Sequence, residues 1–149
     1  MVGHDADPSH PRYASLLRRA MLEDASAKGM LAASALIAHG RGEAFDYLLG
    51  EVTTATALGA TREAAARLSG GVRSVISING NVAALAADDL IRCSALLGCP
   101  LEINIFYRTP ERMTALLEHM SERKAAVADS PAPTGWQGEG EQSWARAVN

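Results

Sequence analysis

Val72-Arg-Ser-Val-Ile-Ser-Ile78, the turn Asn79-Gly80-Asn81, an alanine-rich run to Leu97, and Leu101-Glu-Ile-Asn-Ile-Phe106 decide the fold. The first and last pieces are short and β-branched. Gly70-Gly71 and Asn79-Gly80-Asn81 bracket one, and Gly98 and Pro100 precede the other, so both read as strands. Between them, Val82 to Leu97 reads as a helix with a break at Asp88 and Asp89, where an acid can cap a new helix. A strand-helix-strand crossover of this length is most simply a right-handed unit of parallel sheet covered by helices.

The flanks agree with that frame. Downstream, Thr109-Pro110-Glu111 offers a capping hydroxyl, a first-turn proline and a first-turn acid for a helix running to about Arg123. Upstream, Tyr13, Leu16, Leu17, Ala20 and Met21 mark one face of a helix ending near Gly29. Met30 to Ile37 reads as a buried helix that Gly40 and Gly42 interrupt, with further turns from Glu43 to Leu49. Thr54 to Leu68 is alanine-rich and suits a helix packed against something flat, ended by Gly70 and Gly71. Residues 127–149 hold two prolines, three glycines, both tryptophans and no period, and read as an irregular tail. The expected organisation is a flexible N-terminus over 1–10, an α/β domain over 11–126 and that tail. The fold class is α/β, helices on a parallel sheet in a Rossmann-like three-layer α/β/α arrangement that two strands leave incomplete. An incomplete sheet leaves an edge and an apolar face uncovered.

Composition narrows the function. With 149 residues, 48% hydrophobic and 21% charged, the chain is long enough for one domain with a proper core. A net charge of −3 argues against a general nucleic-acid binder, which needs a basic face to displace counterions. Cys93 and Cys99 match neither a zinc site nor a disulfide framework, and no run is long and apolar enough for a bilayer. The N-terminus lacks the pattern of a signal peptide, so the expected location is the cytoplasm, without membrane attachment.

Leu36-Ile-Ala-His-Gly-Arg-Gly-Glu-Ala-Phe-Asp-Tyr-Leu-Leu-Gly50 packs His39, Arg41, Glu43, Asp46 and Tyr47 between apolar ends. Gly40 and Gly42 would let the backbone turn tightly at Arg41 and approach an anion. An ion-pair cluster of His39, Arg41, Glu43 and Asp46 is the equally weighted structural reading. In open parallel sheets ligands sit beyond the carboxyl ends of strands, at helix N-termini. That rule singles out Asn79, Gly80 and Asn81 at one junction, and Asn104, Tyr107 and Arg108 with Arg112 at the other. An Asn-Gly turn and a solvated arginine are the plain alternatives. His4, Asp5, Asp7 and His10 have ligand-type side chains in a segment too polar to be rigid, so no metal site is expected there.

Four ordered blocks carry a resemblance. They are His10-Pro-Arg-Tyr13 with Ser15, Leu16 and Arg19; Leu36 to Glu51; Val75-Ile-Ser-Ile-Asn-Gly-Asn81 with Ala83-Ala-Leu85; and Glu102-Ile-Asn-Ile-Phe-Tyr-Arg-Thr109 with Glu111-Arg112. Together they closely resemble the archaeal 4-phosphopantoate:β-alanine ligases, also called phosphopantothenate synthetases, over about residues 10–123. The resemblance implies an enzyme of coenzyme A biosynthesis. It would join 4-phosphopantoate to β-alanine, with ATP and Mg²⁺, release AMP and pyrophosphate, and act as a homodimer. By matched motif, Arg19 and Arg41 correspond to the family's ATP-contacting arginines, while no protein nucleophile is required. The residues themselves add His39, Asn79, Asn81, Asn104 and Arg108 as candidates for phosphopantoate or phosphate. Members of the family continue beyond this length with an Asp-Gly-Asp segment and an Asp-Leu-Asn-Pro block, neither of which occurs here. The alternative is therefore an inactive fragment that binds a small phosphorylated ligand or a full-length partner without turnover. A nucleotide-binding regulatory module ranks last, since no P-loop or Rossmann glycine motif is present.

Overall fold

Two apolar triplets, Ile76-Ser-Ile78 (β1) and Leu101-Glu-Ile103 (β2), pair in parallel, with Ile76 opposite Leu101 and Ile78 opposite Ile103. Backbone bonds from Ile76 N to Pro100 O (2.9 Å) and from Asn104 N to Ile78 O (2.8 Å) extend the ladder at both ends. The computed structural model describes residues 7–149. Around the sheet it places α1 (Tyr13–Ala27), α2 (Ala33–Leu48), α3 (Ala55–Ser69), α4 (Gly80–Leu97), α5 (Pro110–Ala128) and α6 (Gly140–Val148). The result is a mainly helical, partial α/β fold in which α4 is the crossover between the parallel strands.

The caps stand where the residue types put them. Asn79 Oδ1 accepts the Val82 amide at 3.0 Å to start α4, and Gly98, at φ 61°, closes it in the left-handed conformation. Thr109 Oγ1 accepts the Arg112 amide at 3.3 Å, and Pro110 stands in the first turn of α5. The expected break in α4 falls at Ala86 (φ −141°), two residues before Asp88, as a kink within one helix. The main core joins Leu22 and Ala25 of α1, Met30 and Leu31 of the α1–α2 connection, Ile78, Ala83 and Leu116. This burial of apolar surface is what fixes the strands against α1, α4 and α5.

Several expectations fail for identifiable reasons. Gly40 and Gly42 do not interrupt α2, which runs unbroken from Ala33 to Leu48. Each glycine costs about 1 kcal/mol against alanine, too little to break a helix whose neighbours Ala, Leu and Glu favour it. Neither segment 30–37 nor α3 is a buried helix in the way the alanines imply. Met30 and Leu31 are buried, but α2 and α3 contain no buried residue. The first strand is three residues long, and Val72 is 97% exposed. The tail is not irregular throughout: α5 extends to Ala128, and α6 is a helix whose Trp144 is fully buried. Trp144 and Val148, four residues apart, share one face of α6 and join Ile91, Val127 and Ala128 in a second cluster. A nine-residue helix shows too little periodicity to stand out among the prolines and glycines before it. Residues 1–6 of the expected flexible N-terminus, including His4 and Asp5, lie outside the described residues. Asp7 to Arg12 form a turn in which Asp7 Oδ1 accepts from Ser9 N and Oγ, both at 2.8 Å.

One residue fixes how closely α4 approaches the rest. A Cβ on Gly80 would lie 2.7 Å from Leu31 Cδ2 and 3.4 Å from Met30 O, both in the buried connection. Gly80→Val should therefore lower stability by about 1 to 3 kcal/mol, the range for overpacking, as read by urea denaturation. An unchanged midpoint would show that the connection yields freely.

Candidate functional site

The carboxyl ends of β1 and β2 open onto a cleft of about 590 Å³ bounded by the first residues of α4, the segment 105–107, α2 and the α1–α2 connection. Arg41 from α2 and Arg112 from the first turn of α5 line it together with Asn79, Gly80 and Asn81. Among the described residues no carboxylate lines it. In a chain of net charge −3, a concavity holding two guanidinium groups and no acid is a local reversal of sign.

Each contributor is placed by its element. Asn79 is the N-cap of α4, and Asn81 Nδ2 donates to Ala35 O of α2 at 3.0 Å, tying the two helices at the rim. The first amides of α4, at Gly80 and Asn81, have no intrahelical acceptor and carry the positive end of an 18-residue helix. Arg41 makes no hydrogen bond or ion pair among the described residues. Arg112 donates through Nη1 to Tyr107 O, which holds the guanidinium against the strand-end loop, and its buried Nε has no partner. Leu31, Ile37, Ile105 and Phe106 supply apolar wall to the cleft, Ile37 and Phe106 remaining mostly exposed.

The structure separates the other candidates. His39 is two residues from Arg41, about 200° around the helix, and does not line the cleft. Its side chain is 12% exposed, with Nε2 3.5 Å from Glu43 Oε2 but outside hydrogen-bond geometry. Glu43 accepts from Ser15 Oγ and lies 4.0 Å from Arg12, whose guanidinium stands 5.8 Å over the Tyr47 ring. Glu43 thus links α2 to α1 through Ser15 and Arg12, with His39 beside it on α2, while Arg41 lines the cleft. Arg19 is exposed on α1, bonded to Glu23 at 2.9 Å, and does not line the cleft. Asn104 is exposed and contributes its backbone to the sheet. Arg108 points to a different cleft, among Ile78, Ile103, Met113 and Lys124. Arg112, which the strand-end rule places at the same junction but which is not among the phosphate candidates, is the residue of that junction that lines the cleft with Arg41.

No group of three His, Cys, Asp or Glu side chains suited to a metal occurs among the described residues, and no described helix is long and apolar enough to cross a membrane. Outside the cleft, Arg123 of α5 holds Asp88 of α4 in a bidentate ion pair through Nε–Oδ1 (2.7 Å) and Nη2–Oδ2 (2.5 Å).

Fold and site together define a partial α/β protein with an arginine-lined cleft at its parallel strand ends and a helix N-terminus, the place where such folds take ligands. The chain belongs to the phosphopantothenate/pantothenate synthetase family, whose description matches residues 56–134, more than half of it. It is 50% identical over 112 residues to the 4-phosphopantoate–β-alanine ligase of Thermococcus onnurineus, covering 75% of this chain and 43% of that protein. The enzymes of the same name from Methanospirillum hungatei and Methanosarcina mazei are 49% and 43% identical, over 72% and 82% of this chain. They are covered over 44% and 48% of their own lengths, so the chain spans less than half the length of these relatives.

The bidentate pair gives a pH prediction. Hydrogen bonding to Arg123 holds the Asp88 carboxyl below its ordinary range, so its stabilisation is present above the unfolded value of about 3.9 and is lost as pH falls through the lower folded value. Both side chains are a third or more exposed, which limits the gain to about 1 kcal/mol. Asp88→Asn should be less stable by that amount at pH 7, and the gap should close in denaturation curves below about pH 4. A gap independent of pH would assign the loss to packing.

Proposed function

We propose that the chain supplies the anion-binding part of an ATP-dependent ligase that joins 4-phosphopantoate and β-alanine into 4′-phosphopantothenate, releasing AMP and pyrophosphate, in coenzyme A biosynthesis. The observation that carries this reading is the carboxylate-free cleft that gathers Arg41, Arg112 and the α4 amides, in a chain of this family. In the proposed reaction a carboxylate oxygen of phosphopantoate attacks the α-phosphorus of ATP. The bond to the bridging oxygen breaks, pyrophosphate leaves, and an acyl adenylate forms. The amine of β-alanine then attacks the acyl carbon, AMP leaves, and the amine gives up a proton.

Such chemistry asks the protein to hold anions in line and to offset charge on the transferred and departing phosphates, without a covalent intermediate on a side chain. Arg41, unpaired among the described residues, can pair with phosphate oxygens in a bidentate manner, and the Gly80 and Asn81 amides can donate to another oxygen. Arg112, anchored by Tyr107, holds its charge at a fixed distance from the strand ends. Arg19 stands outside this cleft, so the reading gives it no contact there. The cleft residues do not fit a protein-held Mg²⁺, which wants carboxylate or carbonyl oxygens, and we assign Mg²⁺ to the phosphates of ATP itself.

A second reading, binding of a phosphorylated ligand or a full-length partner without turnover, is favoured by the span of less than half of each relative. Incubating the chain with ATP, Mg²⁺, 4-phosphopantoate and β-alanine separates the two: AMP formation supports the ligase, and its absence with saturable ATP binding supports the binding module. In either case Arg41→Ala should weaken ATP binding by about 1.5 to 3 kcal/mol, roughly 10- to 100-fold in Kd by calorimetry. Arg62→Ala, which removes an exposed charge from α3, should stay within about twofold. Equal losses in the two variants would reduce the cleft to general electrostatics.

A further inference from the structure

Phe106 is the most exposed aromatic side chain among the described residues, at 92%, and it lines the arginine cleft beside the half-exposed Tyr107. A phenyl ring left in water forgoes the free energy of its own burial, so its place at a cleft asks for a reason. The loop that carries it is pinned at both ends. Asn104 N donates to Ile78 O at 2.8 Å before it, and Thr109 Oγ1 caps α5 after it. The Tyr107 ring meets Phe106 edge to face, with centroids 5.0 Å apart and planes at 81°. Arg112 Nη1 donates to Tyr107 O, so the aromatic pair and a guanidinium of the cleft form one bonded unit. A flat apolar surface therefore stands next to a cation, with Arg41 and the α4 N-terminus bounding the same cavity.

A nucleotide has the matching chemistry: a flat base, one ribose, then a run of phosphates. We propose that Phe106, held by Tyr107, is a stacking platform for the base of ATP, whose phosphates lie toward Arg41, Arg112 and the first amides of α4. The proposal rests on the ligase reading of the cleft and adds a residue that tells a nucleoside triphosphate from a bare polyphosphate. Stacking uses the π-face that every base has, so the platform selects for a base without choosing which one. The rival occupant of this wall is the branched apolar body of phosphopantoate, which needs apolar volume and has no use for a flat ring. The choice falls on the base because an almost fully exposed ring offers open faces and little enclosing volume.

Calorimetry of the full chain, with ATP and with inorganic tripolyphosphate, each with Mg²⁺, separates the base from the phosphates. Phe106→Ala should weaken ATP binding about 5- to 30-fold, the worth of one base–aromatic stack, and leave tripolyphosphate within about twofold. Phe106→Leu, which keeps apolar volume without a π-face, should behave like Phe106→Ala, whereas Phe106→Trp should hold or exceed the parent's ATP affinity. The ring is almost free of contacts, so all three variants should keep the parent's circular dichroism spectrum. Arg41→Ala should weaken both ligands. Unchanged ATP affinity in Phe106→Ala, equal weakening of ATP and tripolyphosphate, or full ATP affinity in Phe106→Leu would each overturn the platform. Loss of 4-phosphopantoate binding alone would overturn it too and give the wall to the acid. In all of these cases tripolyphosphate binding that depends on Arg41 leaves the arginine cleft standing. Saturable binding of neither ATP nor tripolyphosphate to the parent would overturn the cleft reading and the platform together.

Discussion

The seating of Gly80 against Leu31 and Met30 is the contact on which the rest depends. Because position 80 has no Cβ, the N-terminus of α4 can lie directly on the α1–α2 connection. That approach aligns the unpaired amides of α4 with the ends of both strands, draws α2 within reach of Asn81, and leaves Arg41 and Arg112 facing each other's cleft. The same contact closes the main core, since Met30, Leu31, Ile78 and Ala83 are all buried within one cluster. Stability and the arginine-lined cleft therefore share a cause, and a change that separates α4 from the connection weakens both.

The crossover was legible in the sequence because local chemistry and long-range packing ask for the same residues there. Asn79, Gly98, Thr109 and Pro110 cap or start helices with their own side chains or backbone, so their effect does not depend on what lies far away. The parallel pairing of Ile76–Ile78 with Leu101–Ile103 follows from the helix between them. Segments without such local determinants were not legible. Gly40 and Gly42 look like a turn in one dimension, but in space they are two solvent-facing helical positions with open surroundings. α3 is alanine-rich and yet buries nothing, and Ile37, Phe45, Leu48 and Val52 are more than half exposed. Their composition reports a surface that this chain does not cover within itself.

The candidate site divides along the same line. Asn79, Asn81 and Arg41 come together because the helix N-terminus rule and the crossover geometry are both local. His39 is near Arg41 in sequence, yet a separation of two residues in a helix sends side chains to opposite faces, and it lies beside Glu43, which links α2 to α1 through Ser15. Arg108 and Arg112 show the reverse case. One precedes the helix and turns to the far cleft, whereas the other, a turn later, lines the cleft with Arg41. The direction of each arginine depends on how α5 sits against the sheet, which no short motif encodes.

The most direct test of the central claim, that the α4 N-terminus and its two arginines bind a phosphate-bearing anion, is an amide NMR titration of the chain with ATP. The account predicts saturable shifts at the Gly80 and Asn81 amides and at the Arg41 and Arg112 side chains. Saturation with those signals unmoved and shifts confined to Arg108 and α6, or no saturable shift anywhere, would contradict it.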